Sequence, residues 1–215
     1  MNKLKKILFG AAVLASVALL LFPVAVMLSV SLKKANDVFT IPITWIPKEF
    51  AFENYIEVFR KMNILDGFKS SIIITGLTIL LILAVAIPAA YAFSNLRFHL
   101  KKQLYYLVLV SQMFAPVIII IPLYSMMNAM GLIDKWASLV IMNTTFNLAF
   151  IVLMLKGTFD SVPREVVEAA KIDGCNNLSV MTRIFLPVSS TGITVAVIFA
   201  FTRTWNEFLF AFTFM

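Results

Sequence analysis

Arg164, Glu165, Glu168, Lys171 and Asp173 stand close together, interleaved with Val166, Val167, Ala169, Ala170 and Ile172 and followed by Gly174. Arg164 and Glu168 are spaced i, i+4, and Glu168 and Lys171 i, i+3, so one short helix brings these charges together, each pair adding a few tenths of a kcal/mol. Further on, Arg203 and Glu207 are also four apart. None of these groups makes a catalytic set. The one cysteine, Cys175, excludes an intramolecular disulfide, and the one histidine, His99, excludes a His-rich metal site; neither CxxC nor HExxH occurs. No GxxxxGK[ST] loop is present to cradle ATP. A catalytic, metal-ligating or cofactor-binding role is therefore not expected of any residue, and the chemistry open to the 164–174 cluster is recognition by another molecule.

The elements around the cluster are apolar. Hydrophobic residues make up 61% of the 215 and charged ones 13%, with a mean hydropathy of +0.94, against roughly 45–50% apolar in soluble domains. A membrane-crossing helix needs about 20 mostly apolar residues. Five runs meet that need, with spans expected at about 7–32, 70–94, 104–128, 136–156 and 186–212 of a single membrane domain covering residues 1–215. An all-α polytopic membrane protein follows. The apolar ending "EFLFAFTFM" has no polar tail after it, and a sixth span is expected to be missing. The first run is longer than the apolar region of a cleaved signal peptide and lacks a clear cleavage site. Pro23, Pro88, Pro116 and Pro122 punctuate the runs, each removing a backbone donor and tending to kink a helix.

The +7 net charge is scattered between spans with no dense basic run, which suits solvated loops and lipid headgroups and not nucleic acid. In the short loops Lys and Arg fall at the N-terminus, at Arg97, Lys101 and Lys102, and at Lys156, Arg164, Lys171 and Arg183, while the longer 33–69 loop on the other side holds six basic and five acidic residues. These short loops alternate onto one side, which the positive-inside rule makes cytoplasmic, N-terminus included, in a multi-pass membrane protein.

Between the last two spans, residues 157–185 read as helix, break, helix. Ser161 is expected to cap the first helix with Pro163 in its first turn, Gly174 to end it, and Asn176 or Asn177 to cap the second, with Pro187 marking the next span. The small pair Ala169-Ala170 lets another surface approach closely. A plain amphipathic helix on the inner leaflet has the same composition, but the spacing is more specific. Glu168-Ala169-Ala170, Gly174, Ile184, Leu186 and Pro187 resemble in every place the signature EAA-x3-G-x9-I-x-LP of permease subunits of ATP-binding-cassette importers. "PAAYAFSNLRF" (88–98), "PLYSMMNAMGLID" (122–134), "VPREVVEAAKIDG" (162–174) and "WNEFLFA" (205–211) resemble the carbohydrate-uptake branch, the maltose-type second permease subunit in particular.

That resemblance implies a type I importer permease fold with five of six spans visible, and a function as half of the translocation pore for a sugar or sugar-like solute. It implies that Glu168, Ala169, Ala170, Asp173, Gly174, Ile184, Leu186 and Pro187 couple the pore to a cytoplasmic ATPase, which binds the ATP. The implied partners are a second, different permease subunit, two ATPase subunits, an extracellular solute-binding protein and membrane lipid. Cys175 stands where a small residue such as Ala is usual, and "VSSTGI" after Pro187 lacks a second proline. The signature does not encode cargo, so a permease for peptides or polyamines is the alternative. An ion-driven transporter would want carboxylates in the spans, and the first four have none.

Arg203 lies about 24 Å beyond Pro187 at 1.5 Å per residue, with Glu207 one turn further. Charges at that depth pair or face water. Two expectations follow: a salt bridge near the outer interface with Trp205 as anchor, or Arg203, Asn206 and Glu207 at the pore or its gate.

Overall fold

The structure is a computed structural model describing residues 3–40, 44–47, 49–61 and 63–215, and every regular element among them is helical. Helices α1 (Lys3–Ser31), α2 (Ala35–Val38) and α3 (Glu53–Lys61) precede α4 (Ile64–Asn95). After α5 (Lys101–Ser111), a 3₁₀ turn (Pro116–Ile119) leads into α6 (Ile120–Ala129), and α7 (Trp136–Asp160) follows. Helix α8 (Arg164–Ile172) comes next, then α9 (Asn177–Val180), a π turn (Met181–Phe185), α10 (Leu186–Val188), α11 (Ser190–Trp205) and α12 (Leu209–Phe214). Helices α1, α4 and α7 are each long and apolar enough to cross a membrane, and two bent pairs bring the candidates to five.

The chain divides into two compact units, Met1–Gly67 and Phe68–Met215. In the first, the segment after α1 folds back on that helix's end. The Ala51 amide donates to the Leu32 carbonyl at 2.9 Å, Asn54 Nδ2 bridges the Ser31 and Lys33 carbonyls at 3.0 and 2.8 Å, and the buried Lys33 ammonium donates to the Thr44 carbonyl. The apolar faces of α1 stay exposed all round, as suits a helix solvated by hydrocarbon.

In the second unit α7 is the axis. One core gathers Ile82, Ala86 and Ala90 of α4, Ile151, Leu155 and Phe159 of α7, and Ala196 and Ala200 of α11. The four alanines are wholly buried. Between membrane helices, where hydrocarbon is as apolar as the side chains, small residues allow the close approach that dispersion requires. A second core at the other end of α7 joins Leu139, Val140 and Met142 to Met127, Phe210 and Phe214. Gly192, in the first turn of α11, crosses α7 where a Cβ would lie 2.3 Å from Thr158 Cγ2 and 2.9 Å from Thr158 Cβ, so only glycine fits there.

Two of the expected spans correspond to bent helix pairs. The 104–128 run bends by 90° between α5 and the 116–129 segment. Pro116 removes a donor and forces Ala115 out of the helical region, to φ −72°, ψ 127°. Pro23 and Pro88 sit inside unbroken helices, and Pro122 lies in the first turn of α6, where the missing N–H has no partner to lose. The 186–212 run bends by 80° at Ser189 and breaks again after Trp205. Pro187 cannot donate to the Arg183 carbonyl, and the backbone ahead of it widens into the π turn, with the Leu186 amide donating to Met181.

Candidate functional site

Helix α8 is short, and its ends are closed by its neighbours. Pro163 stands at its N-cap position with extended backbone, φ −59°, ψ 133°. Ser161 does not cap it, contrary to expectation: its hydroxyl donates to the Thr158 carbonyl at 2.6 Å, finishing α7 instead. The C-terminus is a Schellman motif. The Cys175 amide donates to the Ala170 carbonyl at 3.0 Å and the Gly174 amide to Lys171 at 3.1 Å, with Gly174 at φ +83°. Asn176 then caps α9, its Oδ1 accepting from the Ser179 amide at 2.8 Å. The expected helix, glycine break and second helix are all present.

The signature residues divide between two faces. Glu168, Ala169, Asp173, Gly174 and Pro187 are exposed, whereas Ala170 is buried in the α4–α7–α11 core and Ile184 and Leu186 are half-buried. The Ala169-Ala170 pair is therefore not a single open face: Ala169 looks out and Ala170, with Val167, anchors the helix from below. Phe185 completes the anchor. Its ring meets Tyr91 of α4 edge-on at 5.0 Å and Phe159 of α7 at 5.3 Å. Two apolar residues point the other way: Ile172 is 86% and Leu178 65% exposed. Neither was singled out by the motif, although Ile172 is out of phase with Val167 and Ala170 at about 100° per residue.

The expected salt bridge is absent. Among the described residues Arg203 and Glu207 form no ion pair. Helix α11 ends at Trp205, so Glu207 lies beyond it and the i, i+4 geometry never forms. The Glu207 carboxylate instead accepts from the Phe210 amide at 2.6 Å and the Ala211 amide at 3.2 Å, capping α12. The Arg203 guanidinium lies 4.1 Å over the Phe150 ring, a cation–π contact worth about 0.5–2 kcal/mol. Asn206 is exposed, its Nδ2 donating to the Thr202 carbonyl at 2.7 Å. Trp205 stacks on Phe201 at 5.3 Å.

Arg203 and Glu207 nevertheless share a cavity of about 380 Å³, with Gln112 at the α5 break and Asn143 and Asn147 of α7; Asn206 is not among its lining residues. Asn143 and Asn147 are buried, and their side-chain nitrogens donate to the Leu139 and Asn143 carbonyls at 3.0 and 2.9 Å, which leaves their side-chain oxygens as acceptors. The sequence signal for them was two amides one turn apart in an apolar span. Glu207→Ala is expected to leave the Phe210 and Ala211 amides unsatisfied and to cost about 1–2 kcal/mol, read as faster proteolysis after Trp205 in detergent, whereas Glu207→Gln keeps part of the cap. Equal proteolysis of all three proteins would refute the capping role.

The comparisons with known proteins agree with this architecture. The family described as "Binding-protein-dependent transport system inner membrane component" matches residues 82–215. The inner membrane ABC transporter permease protein YcjP of Escherichia coli is 32% identical over 197 residues, covering 91% of this chain and 70% of that protein. The sulfoquinovosyl glycerol transport system permease protein SmoH of Agrobacterium fabrum is 32% identical over 198 residues, covering 90% and 68%. Among solved structures, a chain of a bacterial ABC transporter involved in the import of the acidic polysaccharide alginate superposes with a TM-score of 0.83 at 20% identity, covering 100% of this chain and 76% of that one. The chain thus belongs to the family of inner-membrane components of binding-protein-dependent transport systems: it is a multi-pass, non-catalytic permease subunit of an ATP-binding-cassette importer, a machine of permease, ATPase and solute-binding protein.

Proposed function

We propose that this permease forms half of the pore for a sugar or sugar-like solute, pairing with a second, different permease subunit above two ATPase subunits. Residues 157–185 are the cytoplasmic handle, and the N-terminus lies on the same side. The observation that carries the coupling role is the two-faced build of α8. Glu168, Ala169, Asp173 and Gly174, with the apolar Ile172 and Leu178, make an outward surface, while Val167, Ala170 and Phe185 fasten that surface to α4 and α7. Exposed apolar residues on a short polar helix suit a protein groove. The sugar reading is supported by the cargo in the name of SmoH and by the pore cavity. There, amides, a guanidinium and a carboxylate stand beside Phe146 and Phe210, a mixture suited to hydroxyl-rich solutes with apolar ring faces.

Cys175 is half-buried against the core, so an exposed thiol is the better probe. Ile172→Cys in a Cys175→Ser background is expected to crosslink to the ATPase in membranes holding the whole transporter, and to resist an impermeant thiol reagent added to intact cells. Labelling from outside would reverse the orientation. Crosslinking to lipid alone would return α8 to a plain surface helix.

A further inference from the structure

A second cavity, of about 580 Å³, opens between the end of α4, the start of α5, the end of α7 and the start of α8. Lys101, Lys102, Lys156 and Arg164 line it, and Asp160 is its one carboxylate. An adjoining groove of about 440 Å³ shares Lys101 and Arg164 and adds Arg97, Lys171 and Glu168. Among the described residues only Lys156 of these cations is ion-paired, to Asp160 at 2.5 Å. The Lys101 ammonium is held by the Leu96 and Ser94 carbonyls at 2.8 and 3.4 Å. Six cations thus converge on two carboxylates, an excess of positive charge that attracts an anion.

We propose that this cavity holds the phosphate headgroup of an anionic phospholipid. Its size is that of a small-molecule site, and its walls change from charged to apolar as a lipid does, with Phe93, Phe159 and Phe185 behind the cations. Lys156 lies 5.2 Å over the Tyr105 ring and Lys102 5.9 Å over that of Tyr106. Tyrosine and snorkelling lysine together mark the headgroup level of a bilayer. Farther along α5, Leu104 and Leu107 are exposed, an apolar path for an acyl chain. Basic pockets between membrane helices on the cytoplasmic side select anionic lipids in this way. The proposal stands on the cavity and on the cytoplasmic placement of residues 157–185, and is independent of cargo.

The test is native mass spectrometry of the complete transporter in detergent, titrated with phosphatidylglycerol, with phosphatidylethanolamine of the same acyl chains, and with inorganic phosphate. Phosphatidylglycerol is expected to be retained in preference, and Lys102→Gln with Arg164→Gln to weaken it roughly thirtyfold while leaving phosphatidylethanolamine unchanged. Equal retention of phosphatidylglycerol by the double variant would overturn the site. Displacement by inorganic phosphate at equal concentration would assign the cavity to a soluble anion and overturn the lipid. If the variant fails to assemble, a photoactivatable phosphatidylglycerol on the unaltered transporter decides. Adducts within 101–106 and 156–164 support the proposal. Adducts only elsewhere mean that another subunit covers the cavity, and refute it.

Discussion

Gly174→Val is expected to cut uptake by about an order of magnitude or more while the ATPase continues to hydrolyse ATP and the protein still inserts. The reason lies in the backbone alone. A Cβ at Gly174 would meet nothing within 4 Å, but the residue sits at φ +83°, a region that costs an L-residue about 1–2 kcal/mol and a β-branched one more. Valine escapes the strain by leaving the left-handed region, which breaks the Cys175 to Ala170 and Gly174 to Lys171 bonds that end α8. Ile172, Asp173 and Leu178 then lose their fixed relation to the buried face. A coupling loss of about 1–3 kcal/mol corresponds to about 5–150-fold. Gly174→Asn, which tolerates this conformation, should retain most transport. Solute uptake and ATP hydrolysis measured side by side in proteoliposomes decide the matter: normal uptake by the valine protein, or equal loss in both variants, would count against a backbone-held handle.

Gly192→Ala should damage the bundle itself. The added Cβ falls 2.3 Å from Thr158 Cγ2, 2.6 Å from its Oγ1 and 2.9 Å from its Cβ, and the last of these belongs to no flexible end that could swing aside. Overpacking of this kind costs about 1–3 kcal/mol, at about 2–4 °C of melting temperature per kcal/mol for a chain of this size. The expected readout is a lower melting temperature in detergent. Thr158→Ala removes the two nearest atoms and should restore part of the loss, giving a coupling between the sites of about 0.5–3 kcal/mol in a double-mutant cycle. Additive effects, or a Gly192→Ala protein as stable as the parent, would show that α11 and α7 do not meet as described.

Hydropathy picks out candidate membrane segments because burial in lipid is an average over many residues. The same averaging hid the breaks at residues 112–115 and at Ser189, where a single proline decides the path of the backbone. The helix, break and helix of residues 157–185 were legible for the opposite reason: glycine at a left-handed C′ position and asparagine at an N-cap act locally, so their types reveal their geometry. Arg203 and Glu207 misled because i, i+4 spacing implies contact only while a helix continues, and α11 stops between them. Ala170 could not be assigned a face from its size, since small residues serve a partner's approach and a helix crossing equally well. Asn143 and Asn147 gain their meaning from Gln112 and Arg203 across the cavity, neighbours that only the fold supplies.

Phe185, synthesised after α8, meets Tyr91 of α4 and Phe159 of α7 in the core that also holds Val167 and Ala170 of α8. As the chain leaves the ribosome, Val167 and Ala170 therefore have no finished seat until Phe185 has followed them. Under the proposed coupling role, a chain that has not yet reached Phe185 presents a loose segment there and offers no rigid surface to an ATPase.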